Sequence, residues 1–437
     1  MRKLFNIKDT FTNKVTYFHL IWFVSFLPYD RFYSELALIS LLLHTVIHYK
    51  ECRWDRLKTR SLWLLQSVFW ITLFGCFYSA NKAEGFSLVS RQLSIFLFPV
   101  LLLILPIDLY RYSSRILTFF SLSCVVAVGY LYVNAIHIIL YNHLPLKSLL
   151  SKYFMNQNFS EPLDMHATYL SMYLFLSLIF LWDKLFHSRK MKSRLFLSAC
   201  GLILLAGLIQ LVARSVLIAF LLTSCIILPF IYKKQGKRLI SAATITAVCI
   251  LLLISLNQIL PFRERLVSGL QEDLSLSGSP LAVVDPRAER WSLAWELIKK
   301  RPVAGYGTGD ETNLLMKKYY DKKLYSSYIN KLNAHNQYLS FLIKGGIIAI
   351  AIFLVTLIIG FKKAIRYKSA IFISFLVCIS VVSISENILD VNKGIFFYSF
   401  FLSFFTVPGL VKPADSKATD AENQTFLQVK PYSLEIS

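Results

Sequence analysis

Arg214 interrupts an otherwise apolar stretch running from Leu195 to Ile231. A guanidinium held close to hydrocarbon is costly and commonly serves a substrate or ion path; the plainer reading is an arginine that snorkels to an interface. Farther along, Arg287 and Arg290 open an amphipathic segment. Guanidinium groups keep their charge and present a fork of donors that matches diphosphate oxygens, although an isolated arginine more often belongs to a solvated helix face. His335 lies between Ala334 and Asn336, where a hydrophilic stretch gives way to an apolar one. An imidazole can accept a proton near neutrality, yet a lone histidine at an interface is more often structural. His166 and Tyr169, at the start of another apolar run, carry the same two readings. Glu386 follows a further apolar run, where a carboxylate can pair with an arginine, orient a histidine, or be a plain loop charge.

Other chemistries find no support in the sequence. It contains neither a catalytic metal cluster nor a P-loop, and the stretch Gly305-Tyr306-Gly307-Thr308-Gly309 does not open a Rossmann unit. The seven cysteines form no CxxC pair and avoid the large hydrophilic loop, so no zinc site or disulfide framework is indicated. An enzyme built from these residues would need a donor activated before it arrives, entering from lipid.

The elements that must position these groups are membrane helices. The chain is 56% hydrophobic and 16% charged over 437 residues, more apolar surface than a soluble core of this length can bury. Twelve apolar runs, give or take one, qualify as spans: Tyr17–Leu27, Phe32–His48, Leu62–Tyr78, Val89–Ile107, Ile116–Tyr141, Ala167–Trp182, Leu195–Val212, Ser215–Tyr232, Leu239–Leu260, Tyr338–Gly360, Ala370–Ser385 and Gly394–Leu410. The seventh and eighth form a tight hairpin. The net charge of +22 is read as a topology signal rather than a nucleic-acid footprint, because no nucleic-acid-binding motif accompanies it. With the N-terminus in the cytoplasm, the short inner loops hold twenty Lys/Arg against four Asp/Glu, and the short outer loops hold six of each, as the positive-inside rule requires. No cleaved signal peptide is expected at the basic N-terminus.

This alternation divides the chain into spans one to nine (1–260), an extracytoplasmic loop domain (261–336), spans ten to twelve (337–412) and a disordered cytoplasmic tail (413–437). Within the loop domain, Asp285–Lys300 reads as an amphipathic helix with Trp291, Ala294, Trp295 and Ile298 on its apolar face. Pro302, Gly305, Gly307 and Gly309 then force a turn-rich segment, and a second, polar helix covers Thr312–Ser326.

Arg214 between two spans, Arg287-x-x-x-Trp291, Pro302-x-x-Gly305-x-Gly307, and Ala334-His335-Asn336 ahead of Tyr338 and Gly345-Gly346 together resemble the O-antigen ligase/polymerase superfamily. The likeness is clearest over residues 160–410, and the first four spans match only in hydropathy. It implies an all-α, GT-C-like membrane glycosyltransferase of the inner membrane with one large periplasmic loop. Such an enzyme is metal-independent, uses no cofactor, and moves a glycan from undecaprenyl diphosphate to an acceptor sugar, lipid A-core in a ligase or another lipid-linked repeat in a polymerase. Carried over residue by residue, Arg214 and Arg287 would neutralise the diphosphate and His335 would take the proton of the attacking hydroxyl. Arg290, His166, Tyr169, Glu386, Asn336 and Arg91 are the candidate substrate-binding residues. A flippase for the same lipid is the rival class, but its polar groups belong near the bilayer midplane, whereas here they gather at the outer face.

Overall fold

The computed structural model describes residues 7–232, 236, 240, 247, 258–274 and 285–407, and among these it is helical throughout, without strands. The bundle comprises α1 (Phe11–Phe26), α2 (Arg31–Ile47), α3 (Arg60–Tyr78), α4 (Lys82–Arg91), α5 (Leu93–Ile104), α6 (Leu109–Tyr141), α7 (Ala167–His187), α8 (Met191–Leu211) and α9 (Arg214–Leu222). After the chain segment 260–274 come α10 (Arg287–Lys300), α11 (Glu311–Asp321), α12 (Tyr325–Ile329), α13 (Gln337–Arg366), α14 (Ala370–Val382) and α15 (Asn392–Thr406). Among the described residues, six helical stretches are long and apolar enough to cross a membrane: α3, α4 with α5, α6, α7, α8 and α13. The other expected spans within the described residues are shorter, at 16 residues for α1, 17 for α2, 13 for α14 and 15 for α15, and the eighth falls on the shorter apolar stretch Arg214–Ile227. The expected ninth span falls largely outside the described residues, as do the inner loop 233–238 and the C-terminal tail.

Helices α14 and α15 are apolar all round and buried on nearly every side, as expected of helices with no lipid-facing stripe. In α15, Phe400 meets Phe23 of α1 at 5.2 Å and Phe98 of α5 at 5.4 Å, while Phe401 meets Phe120 of α6 at 5.0 Å; aromatic pairs of this geometry each add about 0.5–1.5 kcal/mol beyond area burial. Outer helices instead leave large apolar side chains uncovered, among them Trp63, Phe74, Leu202 and Ile218. Exposed side chains of this kind suit a hydrocarbon surround.

The segment carrying α10–α12 clamps onto one end of the bundle through glycine-dependent contacts. Helix α13 breaks at Gly346, whose φ of +61° and ψ of −155° are non-helical. The break frees the carbonyls of Ile343 and Lys344, which accept hydrogen bonds from Tyr306 and Gly307 N–H, each at 2.9 Å. Ile347 N–H in turn donates to Pro302 O at 2.8 Å, and the Tyr78 hydroxyl donates to Ala304 O at 2.7 Å. A β-carbon on Gly346 would collide with the Val303 carbonyl, and one on Gly305 would lie 2.5 Å from Ile343 O. Gly346→Ala therefore combines the cost of a positive-φ extended backbone that is nearly glycine-only, about 1–3 kcal/mol, with a clash, and it is expected to lower the Tm of the purified protein by many degrees in a thermal-shift measurement.

Two local expectations need correction. The buried face of α10 is Arg290, Leu293, Ala294, Leu297 and Ile298, whereas Trp295 is 49% exposed; the face is rotated because Leu293 and Leu297, not the tryptophan, meet α11 and α13. The second polar helix is interrupted between α11 and α12, where Lys323 adopts a φ of +60°.

Candidate active site

The site lies where the loop domain meets the ends of α7, α9, α13 and α14. Arg214 is set by the hairpin between α8 and α9: Val212 takes a left-handed φ of +43° and reverses the chain within two residues. This holds the guanidinium at the first position of α9, where it pairs with Asp273 of segment 260–274. Asp273 also approaches Arg287 Nε at 3.7 Å. Arg287, the first residue of α10, reaches Glu386 with Nη2 at 3.8 Å and donates from Nη1 to Ser385 O at 3.0 Å. Glu386 Oε2 in turn faces His335 Nδ1 at 3.4 Å. One continuous polar chain thus runs Arg214–Asp273–Arg287–Glu386–His335.

His335 is fixed by its backbone as much as by its ring. It occupies the left-handed region at φ +46°, where non-glycine residues are uncommon and histidine is comparatively enriched. Asn333 Oδ1 accepts its N–H at 3.0 Å. Asn336 then caps α13, accepting from the N–H groups of Tyr338 and Leu339, while its own N–H donates to Asn387 Oδ1 at 2.7 Å. With Nδ1 engaged by Glu386, Nε2 is the nitrogen left to meet a substrate.

The electrostatics favour an anion. Burial alone would raise the Glu386 carboxyl, but the hydrogen bond from His335 and the charges of His335, His166 and Arg287 override it and hold the group below its ordinary value of 4.5. His166 is lowered, first by desolvation within the walls of the site, with Glu386 opposing and His335, Arg265 and Arg287 adding to the shift. Because the folded-state carboxyl of Glu386 is lowered, its stabilising contribution is complete above pH 4.5 and is lost as pH falls through the lowered value. Glu386→Gln is expected to flatten that acidic limb of the Tm-against-pH curve.

Of the remaining sequence candidates, His166 stands near Glu386 and His335, while Arg290 and Arg91 are engaged elsewhere. His166 caps α7, accepting Thr168 N–H at 3.3 Å, and its ring lies 5.7 Å from that of Tyr169. Tyr169 is buried in the bundle, its ring edge against Gly394. Arg290 is 3% exposed, inside the small core between α10 and α11, with Nε and Nη1 lacking hydrogen-bond partners. Arg91 pairs with Glu84 at 2.8 Å and donates to Asp390 O at 3.2 Å, bracing the loop that carries Glu386.

Sequence reasoning missed Arg265 and Asp273. Arg265 donates to Asn156 Oδ1 at 3.1 Å; desolvation lowers its pKa, and Arg214 and Arg287 act in the same direction against Asp273 and Glu386. Three guanidinium groups therefore share two carboxylates. Both missed residues lie in 260–274, a polar stretch whose periodicity singled out neither. Lys344 was missed as well, a cation inside an apolar run that pairs with Glu311 and Asp390.

The structure thus brings Arg214, Arg287 and His335 into one polar chain. Residues 199–354 match the family model for O-Antigen ligase (Wzy_C). Over that segment the chain is similar to the O-antigen ligase superfamily, whose members are of ligase or polymerase type, and its apolar helices fit a multi-pass membrane protein. No curated protein matches the chain. The O-antigen ligase segment contains Arg214, Arg265, Asp273, Arg287 and His335, whereas Glu386 and His166 lie outside it. Folding supplies the second group to the first.

Proposed function

We propose that this protein is an O-antigen ligase, transferring a glycan from undecaprenyl diphosphate to a sugar hydroxyl of lipid A-core at the periplasmic face of the inner membrane. The observation that carries this reading is the continuous chain from Arg214 to His335 at one end of the bundle. In the proposed step the acceptor oxygen attacks the anomeric carbon as the bond to the diphosphate oxygen breaks. The hydroxyl proton passes to His335 Nε2. Arg214 and Arg287, with Arg265 beside them, meet the charge that collects on the departing diphosphate, and such preorganised donors act most strongly where charge develops. Glu386 orients the imidazole and stabilises its protonated form.

The topology proposed with this function has twelve spans of GT-C-like arrangement and both termini in the cytoplasm. It is supported by the contacts at the two ends of the bundle. Residues 79–81 ahead of α4 and the loop 383–391 meet the segment carrying α10–α12, while Arg53 N–H reaches Ile104 O at 2.7 Å and Lys363 reaches Ser61 at 2.9 Å at the far end, among the basic loops.

The test is reconstitution of the purified protein with an undecaprenyl-diphosphate glycan and lipid A-core, in the presence and absence of chelator. Inverted product formed equally under both conditions supports the reading. Activity that needs a divalent ion, or a product with retained anomeric configuration, overturns the arginine-based mechanism. Extension of the lipid-linked glycan instead of transfer to core would identify a polymerase, and in cells the same distinction follows from deletion. A ligase mutant accumulates long lipid-linked polymer, and a polymerase mutant leaves single repeats on the core.

A further inference from the structure

His335 is flanked by two backbone amides that are not held by its own helix. On one side Ala334 N–H donates to Glu311 Oε1 at 3.3 Å; on the other, Asn336 N–H donates to Asn387 Oδ1 at 2.7 Å. Each acceptor belongs to a carboxylate-centred cluster. Glu311 Oε2 also accepts from the Ser340 hydroxyl at 2.5 Å, and the Asn387 amide donates to Asp390 Oδ2 at 3.0 Å. Both clusters end on one cation. Lys344 Nζ lies 3.2 Å from Glu311 Oε2, and 2.9 Å and 2.7 Å from the two oxygens of Asp390.

Lys344 is buried, as are Glu311 and Asn387. The lysine stands one and two residues before Gly345 and Gly346, and its own carbonyl is tied to Gly307 N–H and the Tyr78 hydroxyl. Its stem therefore has little freedom to follow a displaced partner. A buried lysine between two carboxylates holds them together only while its charge is present; removing it leaves like charges facing each other in a low-dielectric setting.

We infer that Lys344 is a positioning residue for His335, clamping α11 and the 386–390 loop so that the left-handed turn at His335 and the Glu386 carboxylate keep their mutual geometry. This rests on the transferase reading for its effect on rate, but not for its effect on the histidine. Lys344 touches neither His335 nor Glu386, so its influence passes through Glu311–Ala334 on one side and Asp390–Asn387–Asn336 on the other. Misplacing a reacting group by about 1 Å costs on the order of 10² in rate.

The experiment compares Lys344→Met with the neutralised triple variant Lys344→Met/Glu311→Gln/Asp390→Asn, which removes the facing charges should the single variant fail to fold. Two readouts are taken on folded protein: modification of His335 by diethylpyrocarbonate, mapped by mass spectrometry, and the transfer reaction separated into kcat and KM for the lipid-linked donor. His335 is expected to react several-fold faster than in the unaltered protein. The kcat should fall on the order of 10²-fold with donor KM within about twofold, because Arg214 and Arg287 are untouched. Unchanged His335 reactivity in a folded variant overturns the inference, as does a fall in donor affinity at constant kcat. Faster modification in a protein whose unaltered form transfers no glycan leaves the clamp standing and defeats the transferase reading instead.

Discussion

His335→Ala is expected to lower glycan transfer by about 10²–10⁴-fold, the range over which a positioned general base operates, with donor binding little changed. The proposed base is held by its surroundings. Nδ1 faces Glu386 at 3.4 Å, the backbone is held left-handed, and Asn336 immediately begins α13. The loss should therefore appear in kcat. Glu386→Gln should produce a smaller loss, because an amide can still contact the ring but cannot favour an imidazolium. The double variant should be no slower than His335→Ala alone, since groups acting as one unit are not additive. Initial-rate kinetics of the four proteins form the cycle. Independent, multiplicative losses would mean that Glu386 does not act through the histidine.

Arg287→Ala should cost about 10²–10³-fold in rate, as expected for loss of one preorganised charge at a developing anion. It should also cost more than Arg214→Ala. Arg287 bridges both carboxylates of the cluster and the Ser385 carbonyl, whereas Arg214 meets Asp273 alone among the carboxylates. Arg287→Lys keeps the charge but loses the fork that spans Asp273 and Glu386, so only part of the rate should return. Measurement of transfer beside binding of undecaprenyl diphosphate separates the roles. Rate loss without any change in diphosphate affinity would remove Arg287 from the leaving-group site.

Much of this arrangement was legible because its causes are local. Unbroken apolar runs mark α3, α6, α7, α8 and α13, and the single arginine between two runs marks the α8–α9 hairpin. The change from hydrophilic to apolar sequence at Ala334-His335-Asn336 placed the histidine where a span begins, and the structure makes Asn336 the cap of that helix. The outward turn of Trp295 was not legible, because it satisfies a helical period with Trp291 as well as Leu293 and Leu297 do. Only packing against α11 and α13 decides that Leu293 and Leu297 turn inward beside a partly covered Trp291 while Trp295 stays exposed. Asp273 and Lys344 were hidden for a different reason. A carboxylate in a polar stretch looks ordinary, and a lysine inside an apolar run shows no partner, until residues 59 and 46 positions away are brought beside them.

The origin of Glu386 has a consequence for biogenesis. Arg214, Asp273, Arg287 and His335 all leave the ribosome before the carboxylate that completes their chain, and Asn387 and Asp390 follow it directly. A nascent chain halted at α14 would hold the whole matched segment, 199–354, with the histidine lacking its carboxylate and the turn lacking one of its two tethers. Competence is thereby deferred until the final hairpin is inserted, so an incomplete translation product carries the family's signature without its working geometry.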